Sequence, residues 1–255
     1  MNKKYSWGML SSPALKNLAD QGAVVLMPVG AIEQHGPHLP VATDLITAEW
    51  VSFLTAEKLD AKGVPAVVAP SFAIANSMHH MSFAGSLSIE PRTFIQVLLE
   101  QCRAIAAQGF RKIALVNGHG GNTAPLATAL IEINRELGFP VFVVPSTGGV
   151  DETPFLTDQP SMMHSGEVET SIILAYDESL VDPSYLDLQG PIESPISYED
   201  DGSISTFHRM ESHTRNGIMG AAYAATKEKG LALIAAYSDR IADVLSDPLL
   251  WALPV

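Results

Sequence analysis

Residues 23–38, Ala-Val-Val-Leu-Met-Pro-Val-Gly-Ala-Ile-Glu-Gln-His-Gly-Pro-His, join an apolar run to a polar segment. The run 23–29 has the composition of a strand buried on both faces, which is typical of parallel sheets. The segment after it carries a carboxylate, Glu33, and two imidazoles, His35 and His38. Because open α/β sheets bind ligands at the carboxyl ends of their strands, this stretch indicates both a fold class and the position of a site.

The same pattern recurs along the chain. Further apolar runs lie at 66–69, 112–116 and 141–144. Helical patterns separate or follow them, and the predicted helices cover 43–59, 91–108, a segment capped by Asn122 that ends at Leu137, and about 221–245. Buried strands that alternate with crossover helices predict an α/β fold with a mostly parallel sheet covered on both faces. No linker separates two cores, so we expect one domain over residues 1–255.

Composition excludes several classes of protein. The 255 residues are 47% apolar and 17% charged, with a net charge of −13, as expected of a globular chain rather than a disordered one. The acidic balance argues against nucleic-acid and anionic-membrane partners, and no apolar run approaches the ~18 residues of a membrane span. The single cysteine, Cys102, rules out an internal disulfide and a cysteine-built zinc site. We expect it to fill space on a helix in a cytoplasmic protein.

The first candidate site follows the first strand. Glu33 and His35 are two residues apart, so in extended backbone their side chains leave on the same side, and Asp44 follows shortly after. A carboxylate and an imidazole joined by a second carboxylate suit a divalent metal ion. The alternative is that Glu33 and His35 are solvated loop residues, and the motif alone does not decide between the two.

A second candidate, Asn117-Gly-His-Gly-Gly-Asn122, follows the third strand. The glycines around His119 allow a tight turn and a close approach to a ligand, although a flexible turn would have the same composition. The segment contains neither a phosphate-binding glycine-lysine motif nor G-x-G-x-x-G, and the chain has no G-x-S-x-G motif of a serine hydrolase.

Two further clusters complete the set. His164, Glu167 and Glu169 lie at the start of an apolar helix, where the two carboxylates either serve the helix dipole or supply a metal ligand, with His164 as an acid or base. His79 and His80 follow the second strand, where lining the cleft and taking a direct role are equally good interpretations.

These clusters share one chemistry. Six of the eight histidines lie in polar segments near carboxylates, and cysteine is almost absent. Nitrogen and oxygen ligands without thiolates suit catalytic Zn, Mn or Fe(II). Two such ions bridged by Asp44 would lower the pKa of a shared water and polarise a carbonyl.

The sequence resembles the creatininase (creatinine amidohydrolase) family. The matching segments cover nearly the whole chain in family order: PVGAIEQHGPHLPVATD at 28–44, SFAGSLS at 82–88, NGHGGN at 117–122, HSGEVETS at 164–171, and GIMG with ATKEKG at 217–230. The resemblance implies a three-layer α/β/α fold, two divalent metal ions, hydrolysis of a carbon–nitrogen amide bond and a homohexamer.

Residue by residue, the resemblance places Glu33, His35, Asp44 and His119 on metal ligands, with Asp44 bridging, and His164 on the catalytic histidine. Creatininase has another glutamate ligand where this chain has Gly121, and we expect Glu169 to take its place. Met163 and the segment Phe83-Ala-Gly-Ser86 also depart from the creatininase pattern. These departures argue against creatinine as the substrate.

The resulting hypothesis is a metal-dependent amidohydrolase that cleaves a small cyclic amide or a formamide. A metal-bound hydroxide attacks the carbonyl and His164 passes a proton to the leaving nitrogen, with Glu167 as the second candidate for that proton transfer. Two alternatives stay open: a non-catalytic protein that keeps the metal and binds a small molecule, and a peptidase of the same family. A long irregular segment, 182–216, is expected to shape either the pocket or a subunit contact.

Overall fold

A four-stranded parallel sheet lies at the centre of the molecule, in a computed structural model that describes residues 2–188, 190–191 and 207–255. Its strands are β1 (Val24–Val29), β2 (Ala66–Val68), β3 (Lys112–Asn117) and β4 (Val141–Pro145), in the order β2-β1-β3-β4. The chain moves outward from β1 to β2 and then returns to β3 on the other side of β1. The crevice beyond the carboxyl ends of β1 and β3 is therefore the switch point where such sheets bind ligands.

Within the described residues, six helices cover the two faces of the sheet. They are α1 (Ser12–Asp20), α2 (Thr43–Ala61), α3 (Pro91–Ala107), α4 (Thr123–Leu137), α5 (Glu167–Asp177) and α6 (Lys227–Ser246). Alternate residues of β1 point to opposite faces: Val25 and Met27 pack with α1, α3 and α4, whereas Val24 and Leu26 pack with α2, α5 and α6. This is the three-layer α/β/α arrangement that the sequence predicted.

The strands and most helices lie close to their predicted positions. All four strands are parallel, and Cys102 is buried on α3, as expected. The prediction missed α1, although Pro13 in its first turn is a helix-start signal.

Two predicted helix starts need correction. The final helix begins at Lys227 rather than near residue 221, because Thr226 is extended and its side chain accepts a hydrogen bond from the Lys229 N–H. Asn122 precedes α4 but makes no capping hydrogen bond. Its amide instead donates to the Gly30 carbonyl (3.0 Å), which ties the ends of β3 and β1 together.

Two glycines let α2 approach the sheet closely. A Cβ on Gly30 would lie 2.5 Å from Leu45 Cα, and a Cβ on Gly118 would lie 2.4 Å from the Asp44 carbonyl oxygen. Both distances are shorter than side chains allow, so these positions need glycine. The first turn of α2, with Asp44, is thereby held against the carboxyl ends of β1 and β3.

The predicted irregular segment 182–216 lies partly outside the described residues, which omit 189 and 192–206. Within its described part, short 3-10 turns cover Pro183–Tyr185 and Met210–Ser212, and Pro191 forms an antiparallel bridge with Thr214. Among the helices of the described residues, none is long and apolar enough to cross a membrane.

Candidate metal centre

The predicted site residues converge at the switch point. Glu33 and His35 follow β1, Asp44 lies in the first turn of α2, His119 follows β3, and Glu169 lies in the first turn of α5. All five side chains are buried.

Local backbone features bring these side chains together. Gly36 has a φ of 68°, which lets the chain turn sharply after His35. Ser165 has a φ of 55°, a value rare for residues other than glycine. This turn places His164 on one side of the site, while the Ser165 N–H donates to Glu169 Oε2 at 2.6 Å.

The two carboxylate oxygens of Asp44 lie beside different histidines. Its Oδ1 lies 3.1 Å from His35 Nε2, and its Oδ2 lies 3.1 Å from His119 Nδ1. On the first side, Glu169 Oε2 lies 3.7 Å from His35 Nε2. On the second side, Glu33 Oε2 lies 3.1 Å from His119 Nε2. The arrangement offers two neighbouring positions for a cation, with Asp44 between them.

The charges in this group interact strongly. Burial and the nearby charge of Asp44 raise the pKa of Glu33 to about 7. Burial alone would also raise the pKa of Asp44, but its contacts with His35 and His119 lower it. For His119 burial favours the neutral ring, yet the contacts with Asp44 and Glu33 raise its pKa to about 8. The carboxylates therefore need positive charge beside them.

Unpartnered atoms fit a metal ion. Both carboxylate oxygens of Glu33, His35 Nε2 and Asp44 Oδ2 are buried without a hydrogen bond. Leaving buried polar atoms unpaired is costly, so a ligand is expected there. Three overlapping triads within the described residues have ligand atoms no more than 4.8 Å apart: Glu33–His79–His119, Glu33–His35–His164 and His35–Asp44–Glu169. Their nitrogen and oxygen donors suit Zn or Mn.

His164 lines the cavity beside His35 and Glu33. Its ring centroid is 4.4 Å from that of His35, and its Nδ1 is 3.8 Å from Glu33 Oε1. Its Nε2 lies 3.0 Å from both the side-chain amide nitrogen and the carbonyl oxygen of Gln34. Burial lowers the pKa of His164 well below its usual value, so the ring is neutral at neutral pH.

Glu167 lies outside the cluster of buried carboxylates and imidazoles around Asp44. Its carboxylate accepts hydrogen bonds from the backbone N–H and hydroxyl of Thr157, both at 3.0 Å, and forms an ion pair with Lys229 at 2.5 Å. These contacts tie α5 to α6 and to the segment before α5. A catalytic role for Glu167 stays a prediction, and its oxygens are already occupied.

Two residues at the site were not assigned from the sequence. The Gln34 side chain donates to His80 Nδ1 at 2.8 Å, and its Oε1 accepts from the Gly36 N–H at 3.0 Å. His80 is buried, with its Nε2 3.4 Å from Glu33 Oε1. The adjacent histidines after β2 indicated His80. Nothing in the sequence distinguished Gln34, which stands between the candidate ligands Glu33 and His35.

A cavity of about 290 Å³ opens onto the group. Its polar wall includes Glu33, Asp44, His119, His164 and Glu169. The remainder is lined by His79, His80, Met162, Met210 and the glycines 118, 120 and 121. Its volume lies near the lower end of the range for small-molecule sites.

Comparison with known proteins identifies the family of this chain. A family model described as "Creatininase: Creatinine amidohydrolase" matches residues 8–245. The chain belongs to the creatininase family. It is a hydrolase of the amidohydrolase type, which acts on carbon–nitrogen bonds, and this favours an enzyme over a non-catalytic binding protein.

Curated creatininase-family relatives differ in their named activities. The mycofactocin precursor peptide peptidase of Mycolicibacterium smegmatis is 30% identical over 240 residues, which cover 92% of this chain and 89% of that protein. The creatinine amidohydrolase of Pseudomonas putida is 25% identical, with 88% and 89% covered. The family therefore fixes the type of reaction more closely than the substrate.

Solved creatininase structures share the fold. A Bacteroides fragilis protein, solved as a candidate creatinine amidohydrolase, aligns with a TM-score of 0.86 over 96% of each chain at 23% identity. A mutant creatininase of the Zn–Zn type and a creatininase with Mn each align with a TM-score of 0.77 at 24% identity. These alignments cover 94% of this chain, with 96% of the zinc form and 97% of the manganese form.

Proposed function

We propose that this enzyme hydrolyses the carbon–nitrogen bond of a small cyclic amide or a formamide, using two divalent ions, Zn or Mn, with Fe(II) as a further candidate. The observation that carries the proposal is the set of buried, unpartnered carboxylate and imidazole atoms that faces a small cavity. Family membership supports the reaction type.

Five side chains would hold the ions. We assign His35 and Glu169 to one ion, Glu33 and His119 to the other, and Asp44 to a position between them, because each Asp44 oxygen faces a different imidazole. When bound, such a pair of ions polarises a carbonyl and lowers the pKa of water towards ~7.

His164 would act as the acid and base. It is neutral at neutral pH because burial lowers its pKa. Its Nε2 lies 3.0 Å from the Gln34 carbonyl oxygen, so an Nε2–H donates there and leaves Nδ1, 3.8 Å from Glu33 Oε1, without a proton. A proton taken up at Nδ1 is therefore the one delivered to the leaving nitrogen. The hydrogen bond to the Gln34 backbone carbonyl holds the ring in this orientation.

The size and lining of the cavity support a small substrate. A volume of about 290 Å³ accommodates a molecule of small-metabolite size, and Met162 and Met210 add apolar surface beside the polar group. A small amide thus has its carbonyl directed at the carboxylate and imidazole group.

A second candidate function is peptide hydrolysis. Its support is the 30% identity to the mycobacterial peptide peptidase over 92% of the chain. In that case the cavity would accept only the terminal residue of a peptide. The same site would perform both reactions, because each cleaves an amide.

Three broader expectations accompany the proposal. We assign residues 1–255 to a single catalytic domain, expect a homohexamer on the basis of the family resemblance, and place the protein in the cytoplasm because its one cysteine is buried and unpaired. Size-exclusion chromatography with light scattering would test the hexamer against the chain mass of 27.3 kDa.

The test replaces Asp44. We expect Asp44→Asn to lose bound metal and to abolish turnover, since both ion positions depend on this carboxylate. The matched control is Asp239→Asn, an exposed carboxylate paired with Lys58, which should keep both properties. Elemental analysis and a turnover screen over cyclic amides, formamides and short peptides, with Mn or Zn added, provide the readouts.

Each outcome of this test is informative. Full activity of the Asp44 variant with empty metal sites would overturn the proposal. Turnover of peptides but of no cyclic amide or formamide would favour the second candidate. Turnover of small amides alone would exclude it.

A further inference from the structure

His79 lies at the mouth of the metal centre, although the sequence motifs assign it no role. It belongs to a 3-10 turn, Met78–His80, and is half-buried. Its ring is nearly parallel to that of His119, with an interplanar angle of 16° and a centroid distance of 5.5 Å. An imidazole in this position faces the group that holds the second of the two proposed ions.

The ligand atoms of His79 and its neighbours are close enough to share an ion. One atom each from Glu33, His79 and His119 lies within 4.8 Å of the others. Two ligands at about 2.1 Å from a zinc ion are at most about 4.2 Å apart, so small side-chain rotations would bring all three into contact with one ion. Both oxygens of Glu33 are buried without a hydrogen bond, and Oε2 already lies 3.1 Å from His119 Nε2.

Gly121 makes room for this arrangement. A Cβ at position 121 would lie 2.4 Å from His119 Nε2 and 2.7 Å from His79 Cε1. Any side chain there would therefore displace one of the two rings. The glycine therefore leaves a space beside His119 that His79 occupies.

We infer that His79 is an additional ligand of the ion held by Glu33 and His119. This inference rests on the proposed function, because it requires the same metal centre. His79 is partly exposed, whereas the five side chains already assigned to the ions are all buried.

The experiment measures binding of Mn²⁺ and Zn²⁺ to the metal-free full-length protein by titration calorimetry and by elemental analysis after dialysis. We expect two ions per wild-type chain. His79→Ala should weaken one of them by at least about tenfold and leave the other unchanged. With Co²⁺ as the probe, the absorption spectrum of the weakened site should also change.

A matched pair of variants guards against misfolding. His79→Glu retains a ligating carboxylate, and His79→Gln has nearly the same shape without the charge. We expect the Glu variant to bind Mn²⁺ at the affected site at least about tenfold more tightly than the Gln variant. Equal affinity of this pair, or unchanged metal binding in His79→Ala, would overturn the inference. Absence of metal binding by the wild-type protein would instead refute the proposed function itself.

Discussion

At the scale of single residues, His38 is the clearest source of pH dependence. Its side chain is buried, and its Nε2 lies 3.0 Å from the Thr170 hydroxyl. Burial, aided by the nearby charge of His35, lowers the pKa of His38 from 6.5 to about 4. The unfolded chain thus binds more protons than the folded chain between these two pH values, and folding stability must fall as the pH decreases through this window.

We predict that replacing His38 flattens this dependence. This lowering of the His38 pKa corresponds to about 3 kcal/mol, which the wild-type protein should lose between pH 7 and pH 4 in addition to any loss shared with His38→Gln. Glutamine can keep the contact with Thr170 but does not titrate. Denaturant unfolding of both proteins, in chelator so that metal binding does not contribute, measures the difference. Parallel stability curves over this range would contradict the prediction.

At the level of single residues, the sequence predicted some members of the site and missed others. Glu33, His35, Asp44 and His119 follow strands or begin a helix, and the rule that ligands lie at strand carboxyl ends was enough to group them. The contacts of Gln34 with His80 and His164 join segments 46 and 130 residues apart. No local pattern encodes such a contact, because it depends on how three loops pack together.

At the scale of elements, the site depends on how closely α2 approaches β3. A Cβ on Gly118 would meet the Asp44 carbonyl oxygen at 2.4 Å and the Ala48 Cβ at 3.0 Å, whereas a Cβ on Gly120 would meet nothing within 4 Å. These two glycines lie in the same loop, and only the first is in contact with α2. They form a natural pair for testing whether the packing of α2 positions Asp44.

We predict that Gly118→Ala destabilises the protein by about 1–3 kcal/mol and weakens metal binding, because α2 must move away and carry Asp44 with it. Gly120→Ala should change both quantities far less. Denaturant unfolding gives the stability, and titration with Mn²⁺ gives the affinity. Equal effects of the two substitutions would mean that the close approach of α2 does not position Asp44.

Element boundaries were predicted where local signals agreed with packing. Pro91 and the glycine after residue 108 bound α3 within a residue of the prediction, since proline and glycine act through backbone geometry alone. The start of α6 was placed about six residues early because residues 221–226 are rich in alanine, which favours a helix without requiring one. There the chain instead forms a 3-10 turn and an extended Thr226.

At the scale of the whole molecule, folding brings three buried carboxylates, Glu33, Asp44 and Glu169, into one site. The free energy of placing like charges together is supplied by the rest of the fold, whose two apolar layers enclose the sheet. A cation that binds only the folded chain reduces this cost. Metal binding and folding stability are therefore linked, and the linkage can be measured without knowledge of the substrate.

We predict that chelation lowers the thermal midpoint and that Mn²⁺ or Zn²⁺ restores it. An ion at about 100 times its dissociation constant stabilises the folded state by about 2.7 kcal/mol, which corresponds to roughly 5–10 °C for a chain of this size. The shift should grow with the logarithm of metal concentration, and Asp44→Asn should abolish it because both ions share that carboxylate. Calorimetry of the metal-free and reconstituted proteins makes the measurement. An unchanged midpoint with Mn²⁺, Zn²⁺ and Fe²⁺ would mean that imidazole protonation alone balances the buried carboxylates, and the two-ion centre would have to be abandoned.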